Sequence, residues 1–413
     1  MILHLQKISF AAAFAAALSA LSHPALAGQP LTESESLRIG LARPELGDLA
    51  RGRVDEASAD ALEAGLWANP TLEYSRDKSR NGTGVREETW QLSQPFDLSG
   101  RRGLKREAGE QRMVAAEADV RQFRAERAVE IRRGFFQLLL HERQLAALDA
   151  WVNRFVEAER VVGKLRAAGE ASGYDLRRLT RERQAAIALR AEKHAELERI
   201  REQFAALLGT GIAAYEGTLG HLLPEAQTSL EALLGKLDAR PDLAALGARA
   251  AAADLEGRAA ARGWMPEVTL GVGAKRGDYG FGHESLTSFS AAIPLPVFDR
   301  QQPGQQRAVA QATAARAEYR LARSRAEGRL RGLHRQITQL IAAAEIYRHE
   351  AVAPSADLVR IAGASYRAGE SNVLELLDAY KGALEAETTA LNLEWKARES
   401  SIELDQLTGS HPE

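Results

Sequence analysis

The chain contains no cysteine among its 413 residues. Disulfide bonds, cysteine-ligated metal sites, thiol catalysis and the acylated cysteine of a lipoprotein are therefore excluded. Methionine is nearly as scarce, because only Met113 and Met265 follow Met1, so the sequence offers no soft sulfur site for a metal ion. The stability of the folded chain must come from packing or from assembly.

An excess of charge of one sign is also missing. The net charge is −2, with 27% charged and 45% hydrophobic residues. This composition excludes a disordered chain and gives no sign of nucleic-acid binding. The sequence also lacks HExxH, CxxC and nucleophile-elbow motifs, and its histidines show no i,i+3 or i,i+4 pairing. We therefore expect no enzyme activity, no cofactor and no fixed metal site.

Long apolar runs are absent beyond the first 27 residues, 1–27. Within them, Lys7 precedes an apolar run from Ile8 to Leu21, and the small-residue end Ala25-Leu26-Ala27 follows. This is the pattern of a secretory signal peptide, with cleavage expected before Gly28. A membrane anchor is the alternative, although the run is too short to cross about 30 Å of hydrocarbon. We expect an exported protein.

The rest of the chain contains one pattern twice. Matching anchors recur in one order: ARPEL at 42–46 and ARPDL at 239–243, Trp67 and Trp264, and the Ala-Gly-Glu turns of RAAGEAS at 166–172 and YRAGESN at 366–372. A nearly constant shift of about 200 residues indicates a tandem duplication. We predict a first structural repeat over 28–222 and a second over 223–413.

Each repeat contains two segments in which apolar and polar residues alternate. They cover about 70–97 and about 266–297, and each segment of roughly ten residues has the length of a tilted transmembrane strand. The candidate lipid-facing residues are Leu72, Tyr74, Trp90, Leu92, Leu270, Val272, Phe289 and Ile293. Small or polar residues occupy the opposite face. The alternative is a pair of surface hairpins on a soluble domain.

A long helical pattern follows each pair of strands. The predicted long helices cover about 103–168 and 304–368, roughly 100 Å each, and the returning helices cover about 174–208 and 372–409. Each Ala-Gly-Glu turn is then the far tip of a helical hairpin, with its glycine as a left-handed cap. The candidate tip and gate residues are Arg166, Gly169, Glu170, Asp175, Arg367, Gly369, Glu370, Glu375 and Asp378.

Four strands per chain cannot close a barrel in lipid, where an open sheet edge leaves backbone groups unpaired. The chain is therefore expected to share its barrel with two, three or four copies of itself. The predicted fold class is mainly α with transmembrane β, built from a duplicated β-hairpin and long helical hairpin.

This duplicated plan resembles the TolC-like outer-membrane efflux protein family over nearly all of the chain after the signal peptide. Three segments are similar to the heavy-metal, CzcC-like branch of that family, the outer-membrane factors of cobalt-zinc-cadmium efflux systems. They are QPFDLSGRRGLKREAG at 94–109, PLPVFDRQQPGQ at 294–305 and YRAGESNVLELLDAY at 366–380.

The resemblance implies a homotrimer with a 12-stranded β-barrel in the outer membrane, continued by a periplasmic α-helical barrel. It implies a periplasmic adaptor (membrane fusion protein) and an inner-membrane pump of the resistance-nodulation-division (RND) type as partners. The chain would be a passive export duct for divalent cations of cobalt, zinc, cadmium or nickel. The alternatives are a duct for drugs or other small solutes, and a periplasmic coiled-coil adaptor, which would carry one helical hairpin rather than two.

Overall fold

The structure is a computed structural model that describes residues 29–80, 85–209, 215–225, 228–278 and 282–409. The expected signal peptide lies outside the described residues, as do residues 81–84 and 279–281 within the two predicted strand segments.

The described chain is mainly helical, and one order of elements occurs twice. The first run consists of β1 (Gln29–Leu31), α1 (Glu33–Leu41), α2 (Pro44–Gly65), β2 (Thr71–Lys78), β3 (Arg86–Phe96), α3 (Arg101–Ala167), α4 (Gly173–Leu208) and β4 (Tyr215–Thr218). The second consists of α5 (Leu230–Gly235), α6 (Pro241–Ala261), β5 (Val268–Asp278), β6 (His283–Ala292), α7 (Gln302–Tyr347), α8 (Ala353–Arg367) and α9 (Val373–Thr408). Each run places two strands before a long helix and a returning helix.

The strands of the two repeats form one antiparallel sheet in the order β2-β3-β5-β6. β3 pairs with β5 from Arg86–Asp278 to Phe96–Val268 without a shift of register. Paired residues on neighbouring strands therefore lie on the same face, and the two faces alternate regularly along each strand. β2 and β6 are the outer strands, and the described chain supplies no further strand to pair with them. A smaller sheet consists of the parallel strands β1 and β4, so the start of the described chain lies beside the segment after α4.

The helices pack side by side around α3. α2 and α6 begin at Pro44 and Pro241, where a missing N–H costs no helical hydrogen bond, and both lie against α3. α3 also packs against α4 and α9, and α9 packs against α7 and α8. The two helical hairpins of one chain thus form a continuous helical wall. None of the helices in the described ranges is both long and apolar enough to cross a lipid bilayer.

The long helix of the second repeat is divided. The sequence predicts one helix over about 304–368 with Pro354 as its only interruption, but a π-helical turn covers Arg348–Val352 between α7 and α8. The proline lacks an N–H, and the wider turn lets the chain pass it without breaking the helix axis. Arg348 then reaches α9, where its guanidinium lies 2.7 Å from Glu387 and 2.6 Å from Glu394.

The last strand is shorter than predicted. Apolar alternation continues through Ile293 and Leu295, yet β6 ends at Ala292. Pro294 and Pro296 have no N–H to donate to a neighbouring strand, so pairing stops before them. The placement of Ile293 within a strand was therefore wrong; this residue is 51% exposed and lies directly after the strand.

Candidate functional site at the hairpin tips and on the sheet

Both Ala-Gly-Glu turns close their long helices in the same way. Gly169 has a φ of 81° and Gly369 a φ of 72°, in the left-handed region that favours glycine. The N–H of the following residue, Glu170 or Glu370, donates to the carbonyl five residues earlier, at 2.8 and 2.9 Å. Each glycine N–H donates to the carbonyl three residues earlier. These are Schellman motifs, and they end α3 and α8 with their last carbonyls satisfied.

The returning helices begin with side-chain caps that use two of the gate candidates. The N–H of Asp175 donates to Ser172 Oγ at 3.1 Å, and the N–H of Ser172 donates to the Asp175 carboxylate at 3.3 Å. In the second repeat, the N–H of Glu375 donates to Asn372 Oδ1 at 3.1 Å, and the Asn372 amide donates to the Glu375 carboxylate at 3.0 Å. Asp175 and Glu375 therefore fix the shape of the tips.

A buried aromatic layer lies directly behind the tips. Phe155 on α3 meets Tyr380 on α9 edge to face with ring centroids 5.8 Å apart, and Tyr366 on α8 is buried in the same layer. Burial raises the pKa of both tyrosines. The other buried members are Leu148, Trp151, Val152, Ala158, Val162, Leu179, Ala186, Val373, Leu376 and Leu377. Because α3, α4, α8 and α9 all contribute, the two hairpins of a chain pack as one unit.

An ion pair also joins the two hairpins near their tips. Lys381 Nζ on α9 lies 2.9 Å from the Glu182 carboxylate on α4, and Arg181 donates to the same carboxylate at 2.8 Å. Hydrogen bonds from Arg181 and Lys381 hold the pKa of Glu182 below its ordinary value of 4.5. This pair was not predicted from the sequence. Leu179, Glu182 and Ala186 have the spacing of a buried helix face, so a carboxylate at that position was the available signal.

The remaining charged candidates lie on the outside of the tips. Arg166, Glu170, Arg367, Glu370 and Asp378 are all exposed. Arg367 acts across the two hairpins, because its charge helps to lower the pKa of Glu157 on α3, after the larger effect of the hydrogen bond from Arg160. The structure thus brings the nine candidates to one end of the molecule, with the glycines and cap residues inside the turns and the other charges available to neighbouring molecules.

The two faces of the four-stranded sheet differ in polarity. Leu72, Leu92, Val272 and Phe289 form one row across all four strands, and Tyr74, Trp90, Ala274 and Thr287 form the next. Thr71, Ser93, Gly271 and Ser290, and then Glu73, Gln91, Gly273 and Ser288, form the neighbouring rows on the opposite face. Gln91 donates to Ser290 Oγ at 2.9 Å across that polar face. One face is therefore fit for hydrocarbon and the other for water.

Aromatic side chains border the apolar rows at both ends. Tyr74 and Trp90 stack with ring centroids 4.5 Å apart on the side away from the helices. On the helical side, Trp67, Trp264 and Phe298 are 51%, 53% and 97% exposed. Two such borders are typical of the interfaces of a membrane-spanning sheet.

The described part of the chain contains no group of three or more histidine, aspartate or glutamate side chains arranged to hold a metal ion. The surfaces that the described residues offer are an apolar sheet face, a polar sheet face and charged hairpin tips.

The family model described as "Outer membrane efflux protein" matches residues 43–210 and 236–410, one segment in each repeat. This chain belongs to the outer membrane efflux protein family. The match confirms the family resemblance that the turns and strand-to-helix junctions indicate.

Similar proteins include ones that are named for resistance to metals. The cobalt-zinc-cadmium resistance protein CzcC of Cupriavidus metallidurans is 25% identical over 393 residues, which are 94% of this chain and 92% of that protein. The nickel-cobalt-cadmium resistance protein NccC of Alcaligenes xylosoxydans xylosoxydans is 28% identical over 295 residues, 69% of this chain and 65% of that protein. These similarities support the predicted heavy-metal branch of the family.

Solved structures share the fold at lower identity. The match to CusC has a TM-score of 0.76 at 19% identity and covers 92% of each chain. The outer-membrane channel OprN matches with a TM-score of 0.77 at 21% identity, over 92% of this chain and 90% of OprN. The outer membrane protein VceC of Vibrio cholerae matches with a TM-score of 0.77 at 19% identity, over 91% and 96%. The predicted combination of long helical hairpins with transmembrane strands is confirmed.

Proposed function

We propose that this protein is the outer-membrane duct of a tripartite efflux system that exports divalent heavy-metal cations. The observation that best supports a duct is the four-stranded sheet, which has one apolar face, one polar face and two outer edges. This sheet is attached to two long helical hairpins. The cobalt, zinc, cadmium and nickel cargo rests on the names of the relatives.

Three copies would close the duct. The outer edge of β2 in one copy would pair with the outer edge of β6 in the next, which removes the open edges that lipid does not tolerate. The resulting barrel would present the row of Val272 and Phe289 to lipid and the row of Gly271 and Ser290 to the lumen. α3, with 67 residues, would extend the duct by about 100 Å into the periplasm.

The tips would close the duct and contact the periplasmic adaptor. Six turns from three chains would form a ring, and the exposed charges of Arg367 and Asp378 would lie where neighbouring hairpins meet. Carboxylates that reach a narrow lumen favour cations by Coulomb attraction. The energy and the choice of cargo would come from an inner-membrane pump of the RND type.

The cargo is tested by deleting the gene and measuring tolerance. We expect lower tolerance of zinc, cobalt, cadmium or nickel, restored by the wild-type gene. If tolerance of all four cations is unchanged while tolerance of drugs falls, the metal cargo is wrong and the duct serves other solutes.

The gate is tested by single-channel recording of the reconstituted trimer. Arg367→Ala should raise the passive conductance if this guanidinium helps to hold the tips together, and Asp378→Ala should lower the preference for cations. Unchanged conductance and ion selectivity in both variants would remove these residues from the gate.

A further inference from the structure

At the end of the sheet remote from the helices, cations outnumber carboxylates on one face, and carboxylates outnumber cations on the other. Four cations lie on the same face as the apolar rows and define what we call the cationic rim: Arg76, Lys78, Arg86 and Arg276. The register places them two and four residues beyond the Tyr74–Trp90 row, with Glu88 and Asp278 between them. All four cations are exposed.

The opposite face carries the opposite charge at the same height. Asp77, Glu87 and Glu284 point to the polar face, where Lys275 Nζ lies 2.6 Å from the Glu87 carboxylate. If water surrounded both faces of this end of the sheet, there would be no reason for the two faces to differ in charge. The separation indicates that the two faces meet different surroundings at this height, as they do one row lower.

The height of the cationic rim matches a lipid headgroup layer. Adjacent rows on one face are about 7 Å apart, because two residues separate them along the strand. The headgroup region of a bilayer adds about 5–7 Å beyond the hydrocarbon on each side. Tyr74 and Trp90 would mark the edge of the hydrocarbon, so Arg76 and Arg276 would lie among the headgroups.

The side chains of the cationic rim are suited to phosphate. Three of the four are arginines, whose planar forks bind phosphate oxygens through paired hydrogen bonds. Arg76 Nε lies 3.5 Å from the Glu88 carboxylate, in a loose ion pair whose side chains are both exposed to solvent. Arg76, Arg86 and Arg276 line a groove of about 410 Å³ on this part of the sheet. The other lining residues are Glu88, Gly277, Asp278, His283, Glu284 and Ser285.

We propose that the cationic rim binds the phosphate groups of lipid headgroups in the outer leaflet of the outer membrane. The side rests on the proposed outer-membrane duct: α2, α3, α6 and α7 all join the sheet at its other end, which would then face the periplasm. The bound lipids would hold the barrel at a defined depth and cover the seam between copies, since Arg76 and Lys78 lie on the outer strand β2.

The test uses the purified full-length trimer and a bisphosphorylated glycolipid, lipid A, with retained lipid counted by native mass spectrometry. The variant carries Arg76→Gln, Arg86→Gln and Arg276→Gln together. Each cation near a charged lipid surface contributes roughly fivefold to binding, so we expect about a hundredfold weaker retention. Lys275→Gln is the matched control, because it removes a cation one residue from Arg276 on the opposite face, and it should retain lipid A like the wild type.

Two further arms separate the sources of phosphate. Dephosphorylated lipid A should bind the wild type as weakly as lipid A binds the triple variant, and inorganic phosphate should displace lipid A only at large excess. If the triple variant does not assemble, Arg276→Gln alone should show roughly a fivefold loss against no loss for Lys275→Gln. Equal retention by wild type and triple variant, an equal loss in Lys275→Gln, or inorganic phosphate binding as tightly as lipid A would each overturn the proposal.

Discussion

Arginine substitutions at neighbouring positions of β6 test which face of the sheet meets lipid. Phe289 is 84% exposed and lies in the row of Leu72, Leu92 and Val272, midway along the apolar band. An arginine at this depth costs about 2–4 kcal/mol per chain. Ser290 is the next residue and belongs to the polar face, where an arginine would stay in water. The difference between Phe289→Arg and Ser290→Arg should therefore approach about 6–12 kcal/mol in a trimer if the three copies contribute independently.

The assay is the amount of heat-stable trimer in isolated outer membranes, measured by semi-native electrophoresis at matched expression. We expect Phe289→Arg and Val272→Arg to leave little trimer, and Ser290→Arg and Thr269→Arg to leave near wild-type amounts. An equal loss of trimer in all four variants would show that the alternating strand faces do not separate lipid from lumen.

Two predictions concern the tips. Gly169→Val and Gly369→Val force a β-branched residue into the left-handed region, which costs about 2 kcal/mol or more per tip. We expect both variants to form trimers that reach the outer membrane but no longer support tolerance of metal ions. The control is Gly163→Val, at a helical position with open space around it, which should support wild-type tolerance of metal ions. Wild-type tolerance of metal ions in both tip variants would show that the tips are not needed for docking. Because the fold lowers the pKa of Glu182, its ion pairs stabilise the fold above pH 4.5, and this contribution is lost as pH falls through the lowered pKa. Thermal unfolding of the wild type should thus lose stability below pH 4.5 more steeply than Glu182→Gln, and parallel pH profiles would contradict the pairing with Lys381.

Much of the architecture follows from local patterns in the sequence. Alternation at Val272 and Phe289 predicts strands because the period of a strand is two, and the glycine of each Ala-Gly-Glu turn predicts the end of a helix because only glycine adopts that backbone conformation at low cost. These signals need no knowledge of distant contacts. They were sufficient for the hairpins, the duplication and the family.

Other features depend on contacts between distant parts of the chain. Glu182 and Lys381 are 199 positions apart, and their pairing requires α4 and α9 to meet. Two other departures have a local cause in proline: the π turn at Arg348–Val352 carries the helix past Pro354, and β6 ends before Pro294 although the apolar pattern continues. The segregation of the cationic rim also becomes visible only when the register of four strands is known.

The proposed role of this chain is to carry divalent cations out through the outer membrane. The most direct measurement loads cells with radioactive zinc and follows its loss from a strain that lacks the gene, complemented with the wild type, with Phe289→Arg or with an empty vector. We expect rapid loss of zinc only with the wild-type gene, and retention of zinc with Phe289→Arg and with the empty vector. Loss of zinc at the wild-type rate from cells that carry the empty vector would contradict the proposed role.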